Sequence, residues 1–300
     1  MGPVLCRPYQ SECGQRNCFA LGESPVKNLS LGYSPCPNDT FIFYALVHNR
    51  IPLEGISFTE RLEDVETLNR LATRNELDIT KISFHAFAHL RDHYALLRSG
   101  GALGKGCGPL VVAREGSTTS DLRRQRVAIP GELTTAFLLL RLYDPVIRNF
   151  VVMPFHQVMQ SVQQGRTEAG LVIHESRFTY RKFGLQKILD LGEWWEQSTG
   201  YPIPLGGIIM RRHLHRELSY LIEEKIRESI RYAQMHPEEP RAYIRRYAQE
   251  MDESVARQHI DLYVNEYSLD IGTAGEQAIR FLLAEAEKKG LIPPSRHDIF

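Results

Sequence analysis

The sequence has no excess charge of either sign: 36 Lys and Arg balance 36 Asp and Glu over 300 residues. A nucleic-acid or anionic-membrane partner calls for a basic face, so neither is expected. No run approaches the ~18 consecutive apolar residues of a membrane span, so membrane insertion is not expected either. Cysteines are few and odd in number, five in all. Cys6, Cys13 and Cys18 fall within residues 1–27, while Cys36 and Cys107 lie apart in the body. That spacing fits neither a disulfide framework nor a zinc site, and no metal is expected. The opening stretch has no continuous apolar core and so does not read as a secretory signal, which makes a cytoplasmic location the expectation. Residues 1–27 read as a disordered N-terminal extension. The G-x-S-x-G of α/β-hydrolases is missing. So is the Walker loop: glycines 100, 101, 104, 106 and 108 precede a strand, where nucleotide binding needs a helix.

What is present is an ordinary globular composition, 43% hydrophobic, in a chain long enough for one large domain or two of usual size. From Asn28 the pattern runs strand, loop, helix. LSLGY reads as a strand, SPCPND as a turn, and Thr40–His48 as a helix capped by Asn38 or Asp39. ISFTERL is a second strand. Asp64 caps a helix whose apolar face is Val65, Leu68, Leu71 and Ala72. Leu77–Ser83, YALLR and PLVVA follow as strands. This alternation predicts an open, mostly parallel α/β sheet.

The middle of the chain repeats the plan. RVAIPGELTTAFLLLRLY parallels the opening unit, and NFVVMPFHQVMQSVQQGRTEAGLVIHE parallels ISFTERLEDVETLNRLATRNELDITKIS. After GYPIPLGGIIM the pattern is helical, with Leu218, Ile222, Ile226, Ile230 and Ala233 in one stripe that stops at His236-Pro237. Two α/β lobes of one design follow, with a cleft between them and a C-terminal helical segment covering the first. Lobe one is placed at 28–112 plus 206–300 and lobe two at 113–205.

Ligands of open α/β sheets sit beyond the carboxyl ends of strands, near helix N-termini. SPCPNDT and PGELTTA each deliver such an N-terminus, with Ser34, Asn38, Asp39, Thr134 and Thr135 at hand for a carboxylate or hydroxyl-rich ligand. Plain helix capping explains the same residues. AGLVIHE is an apolar strand that ends in His174-Glu175, and its equivalent in the first half ends in Lys81-Ile82-Ser83. A histidine at a strand end suits proton abstraction near neutral pH, or a structural hydrogen bond to a carbonyl. Lys81 suits a substrate carboxylate, or solvent. His85, His89 and His93 share a face if one helix carries all three, but no H-E-x-x-H accompanies them. Cys107 has no evident base beside it in sequence and reads as a cleft-lining or structural thiol.

Six stretches taken in order, SPCPNDTF, DITKISFHA, GCGPLVV, PGELTTA, LVIHE and YPIPLGG, resemble the 1,4-dihydroxy-6-naphthoate synthases of the futalosine route to menaquinone. The resemblance runs from about Asn28 to Pro293. It implies a periplasmic-binding-protein type II-like fold and a lyase that needs no cofactor. Cyclic dehypoxanthinyl futalosine, a carboxylated small molecule, would be converted to 1,4-dihydroxy-6-naphthoate with loss of dihydroxyacetone. It also implies that His174 is the general base and that Lys81, Ile82, Ser83, Thr134 and Thr135 contact substrate. The family's G-L-P-I-P reads Gly200-Tyr201-Pro202-Ile203-Pro204 here, a change expected at the cleft wall. Two alternatives share the fold: chorismate dehydratase of the same pathway and a non-catalytic solute receptor. A homodimer is compatible with the sequence without being specified by it.

Overall fold

The computed structural model describes residues 27–248 and 252–300. Apart from Lys27, which opens the first strand, the expected extension at 1–27 lies outside the described residues, as do Cys6, Cys13 and Cys18.

The first lobe opens with β1 (Lys27–Tyr33), α1 (Pro37–Val47), β2 (Ile56–Leu62), α2 (Val65–Thr73), β3 (Ile79–Ser83), α3 (Phe84–Ala88), β4 (Tyr94–Leu96) and β5 (Ala102–Gly104). The second contains β6 (Leu110–Ala113), β7 (Val127–Ile129), α4 (Thr135–Tyr143), β8 (Phe150–Val152), α5 (Phe155–Gln163), β9 (Ala169–Val172), α6 (Ser176–Thr179), β10 (Gln186–Asp190) and α7 (Leu191–Thr199). The chain then returns through β11 (Ile203–Arg211) to α8 (Arg216–Met235), α9 (Arg241–Tyr247), α10 (Glu253–Tyr263), α11 (Glu266–Leu269) and α12 (Gly272–Lys288).

The strands form two sheets, ordered β2-β1-β3-β11-β4 with β5 also on β11, and β10-β6-β9-β7-β8. The internal repeat is visible in this order. β1-α1-β2-α2-β3 and β7-α4-β8-α5-β9 each make three parallel strands with the first in the middle. The sheets are nevertheless mixed rather than mostly parallel. β11, arriving from lobe two, runs antiparallel to β3, β4 and β5, and β6, arriving from lobe one, runs antiparallel to β9 and β10. Each crossing strand joins the sheet it enters from the opposite direction. The pairing also moves the edges of the lobes. Leu110–Ala113 bonds entirely within the second sheet, and Ile203 already pairs with Gly104 in the first.

Local chemistry explains the elements. The Asp64 side chain accepts from the N–H groups of Glu66 and Thr67 and so starts α2, which buries Leu68, Leu71 and Ala72. The first helix begins earlier than its pattern suggests, at Pro37, whose fixed φ suits the first helical position. Asn38 and Asp39 therefore sit inside its first turn instead of capping it. α8 buries Ile222, Ile226, Ile230 and Ala233 against α1, and Ser229 Oγ donates to the Ile42 carbonyl at 2.6 Å. The C-terminal helices thus cover lobe one, while α12 also touches α4 of lobe two. The glycine-rich loop has a packing role. A Cβ on Gly108 would sit 2.3 Å from the Gly192 backbone, where the start of β6 meets α7. No helix of the described residues is long and apolar enough to cross a membrane.

Candidate active site in the interlobe cleft

The strand ends and helix starts of both lobes meet at a cavity of about 100 Å³. The nine residues that the sequence offers as base or substrate contacts all border it: Ser34, Asn38, Asp39, Lys81, Ile82, Ser83, Thr134, Thr135 and His174. Lobe one supplies the first six and lobe two the last three.

His174 follows β9 after one intervening residue and has φ of +55°, in the left-handed region that side chains other than glycine seldom occupy. Such a conformation costs on the order of 1–3 kcal/mol and persists where surrounding structure imposes it. Its imidazole packs beside Phe155, with ring centres 5.2 Å apart, and Nδ1 lies 3.4 Å from Cys36 Sγ. Burial holds the imidazole below its ordinary pKa, while the carboxylates of Glu175, Asp39 and Asp64 pull the other way. The net direction is down, so the ring stays neutral near pH 7. Burial also pushes the Cys36 thiol well above its usual range, and it keeps its proton. Glu175 is buried, and its Oε2 has no hydrogen-bond partner.

The other predicted residues are already tied to the protein. Lys81 Nζ meets Asp39 Oδ1 at 3.1 Å, both side chains about 5% exposed. Asp39 also accepts from Ser34 Oγ at 2.8 Å and from Asn38 Nδ2 at 2.9 Å. Ser83 is held by Asn69, which accepts from its N–H at 3.0 Å. Thr134 is the α4 cap, accepting from Phe137 N at 3.2 Å, and Thr135 Oγ1 donates to the Leu205 carbonyl. For Thr134 the capping role is real, alongside its place on the cavity wall.

Other residues bear on the site without having been singled out. Arg177 lies one turn beyond His174, and His259 and Tyr263 come from α10. His259 Nε2 bonds Asn38 Oδ1 at 2.9 Å, and its ring lies 6.2 Å from that of His174, nearly parallel. Burial drives its pKa well below normal, so it too is neutral. Arg177 could have been found from its three-residue offset from His174. His259 is more than 80 residues away with no local signal.

Some expectations fail here. The helix bearing His85 ends at Ala88, His89 is its C-cap and His93 lies in the turn before β4, so the three histidines do not share one helical face. His85 Nδ1 instead bonds the Thr134 carbonyl at 3.3 Å. Tyr201 packs on Phe281 at 5.2 Å and is not among the cavity residues. Cys107 does line the cavity, with burial pushing its thiol up to about 12, which makes it a poor nucleophile. Among the described residues, one trio offers metal-ligand atoms within 4.8 Å of one another: Cys36, His174 and Glu175.

Comparison with known proteins bears on the family and the fold. The sequence profile of a family described as menaquinone biosynthesis matches residues 29–288. The chain belongs to this family. It is 51% identical over 281 residues to the 1,4-dihydroxy-6-naphthoate synthase of Thermus thermophilus, covering 92% of this chain and all of that one. The enzyme of the same name from Streptomyces coelicolor is 49% identical over 270 residues, covering 88% and 95%. The crystal structure of a protein from Archaeoglobus fulgidus superposes with a TM-score of 0.82 at 38% identity, covering 88% of this chain and 98% of that one. The alkanesulfonate-binding protein of Xanthomonas axonopodis, bound to MOPS, superposes with a TM-score of 0.69 at 12% identity, covering 90% and 96%. That likeness shows the fold, which is that of periplasmic binding proteins.

Proposed function

We propose that the chain is a lyase that forms 1,4-dihydroxy-6-naphthoate from cyclic dehypoxanthinyl futalosine, releasing dihydroxyacetone, with His174 as general base. The observation that carries this is a neutral imidazole on a left-handed turn at the cavity, where both lobes converge. Two synthases of that name at about 50% identity support the product. In the tautomer with the proton on Nδ1, facing the Cys36 sulfur, Nε2 carries the lone pair that takes a proton from the fused sugar ring. Cleavage of the ring bond to the three-carbon fragment follows, driven by the aromaticity of the product. A base in position contributes ~10²–10⁴-fold.

The Lys81–Asp39–Asn38–His259 chain of contacts makes one wall of the site rigid. At about 100 Å³ the cavity is smaller than the roughly 300–1,000 Å³ of small-molecule pockets, so the lobes part to admit substrate. The contacts that would break include those between α2 and the α4 loop, where Glu66 Oε2 accepts from Leu133 N at 3.2 Å and Asn69 Nδ2 donates to Leu133 O at 3.3 Å, and the Cys36–His174 contact. A carboxylated small molecule as partner and a cytoplasmic location belong to the same reading.

The test is to incubate purified protein and EDTA with cyclic dehypoxanthinyl futalosine and follow naphthoate by chromatography with mass detection. His174→Asn is the informative variant, because asparagine tolerates the left-handed backbone. Turnover should fall by ~10²-fold or more with ligand affinity kept within a few fold. Unchanged turnover removes His174 from the mechanism, and a folded wild-type protein without product refutes the reaction.

A further inference from the structure

We propose that Arg177, rather than Lys81, is the seat for the ligand's carboxylate, an inference that rests on the reading above. The charges bordering the cavity are few. Asp39, Lys81 and Arg177 are its formally charged side chains, and His174 and His259 are both held neutral by burial. Lys81 and Asp39 cancel each other at 3.1 Å, deep in the wall. One positive charge, on Arg177, is left without a cavity-lining carboxylate.

The contacts of Arg177 leave that charge available. Nη1 donates to the Gly108 carbonyl at 2.9 Å and the guanidinium also bonds the Tyr263 hydroxyl, neutral groups that anchor it without neutralising it. The carboxylate nearest to it is that of Asp190, 3.9 Å from Nη2 and outside hydrogen-bond range. Asp190 is engaged elsewhere: its Oδ1 accepts from the N–H groups of Gly192 and Glu193 at 3.0 and 3.1 Å, and Lys187 lies 3.6 Å from its Oδ2. Glu175 is buried beside His174 but does not border the cavity and makes no ion pair with Arg177. The Arg177 side chain is only 12% exposed, so its charge faces a partly dry space where an anion is worth more than in water.

Position adds to the argument. Arg177 N donates to the His174 carbonyl at 3.4 Å, so both side chains ride on one turn at a fixed offset. A planar aromatic carboxylate gripped by the guanidinium fork would be held in one orientation relative to the base. The ligand class is therefore a monocarboxylated, benzoate-type ring system. The charge on Arg177, which meets Asp190 only at 3.9 Å and no cavity-lining carboxylate, selects its ionised form.

The experiment measures binding of 1,4-dihydroxy-6-naphthoate and of its methyl ester by titration calorimetry, under argon to prevent oxidation. Wild type, Arg177→Gln and Arg177→Lys are compared, with circular dichroism confirming that each is folded. Wild type should prefer the acid over the ester by at least ~30-fold. Arg177→Gln should weaken the acid by about 10²-fold to near the level of the ester, with the ester unchanged, and Arg177→Lys should recover part of the loss. Equal binding of acid and ester by wild type overturns the inference, as does a preference for the acid that survives in Arg177→Gln. Binding of neither ligand to wild type counts instead against the proposed function, and against this inference with it.

Discussion

Replacing Lys81 by Met isolates the energetics of the cleft wall. The Lys81–Asp39 pair spans 3.1 Å with both side chains about 5% exposed. At an effective dielectric of ~20, two unit charges at that distance attract by about 5 kcal/mol. Removing only the lysine leaves Asp39 buried and uncompensated, although Ser34 and Asn38 still donate to it. Breaking one side of a buried pair typically costs about 3–5 kcal/mol. The double variant Lys81→Met with Asp39→Asn removes both charges and keeps an amide for Ser34 to contact, so its cost should fall well below the sum of the two singles. Urea unfolding followed by Trp194 and Trp195 fluorescence reads this out. With a slope of roughly 3 kcal/mol per molar for a protein of this size, Lys81→Met should lower the midpoint by about 1 M or more. A midpoint within about 0.3 M of wild type, or a double variant as costly as the two singles together, refutes the reasoning.

Other outcomes follow from the same geometry. Burial holds His85 to about 4, against about 6.5 in an unfolded chain, so between those values the unfolded state binds the proton first. Stability should be full above pH 6.5 and fall by as much as about 3 kcal/mol on acidification toward pH 4, and thermal melts of His85→Gln should lose most of that slope. Gly108→Ala places a Cβ 2.3 Å from the Gly192 backbone, and calorimetry should show a loss of about 1–3 kcal/mol or more. A melt like that of wild type would show that the two loops can separate freely. Zn²⁺ should inhibit by capturing Cys36, His174 and Glu175. The 3.4 Å Sγ–Nδ1 separation is close to the about 3.6 Å edge of a tetrahedral Zn site. Cys36→Ser should be at least ~10-fold less sensitive to the metal, and equal sensitivity would place the inhibitory ion elsewhere.

Much of this architecture was legible because its signals are local. Asp64 before an apolar stripe, the Ile222–Ile226–Ile230 spacing and the repeated strand-turn-helix units all report on neighbours within a few residues. The apolar β9 ending in His174 was legible for the same reason. Strand direction was not, because whether β6 and β11 run with or against their neighbours depends on which sheet the chain enters. Partnerships were also hidden. Lys81 and Ser34 read equally well as substrate contacts or as structural groups, and only the fold reveals Asp39 between them. His259 illustrates the limit. Nothing in α10 marks it, and it matters because 221 residues of chain bring it back to Asn38.

The left-handed residue at the end of β9 has a consequence for how such a fold changes occupation. Neighbouring residues of a strand point to opposite faces, so a reactive group added within β9 would displace an apolar partner on one side of the sheet. Here the alternation is broken after Val172, and Ile173 and His174 both reach the cavity. β9 keeps its register and its apolar content, and the proposed base is mounted on a connector just outside the sheet. A receptor built on this scaffold could become a catalyst, or a catalyst lapse into a receptor, by exchange at that connector while every strand stays where it is.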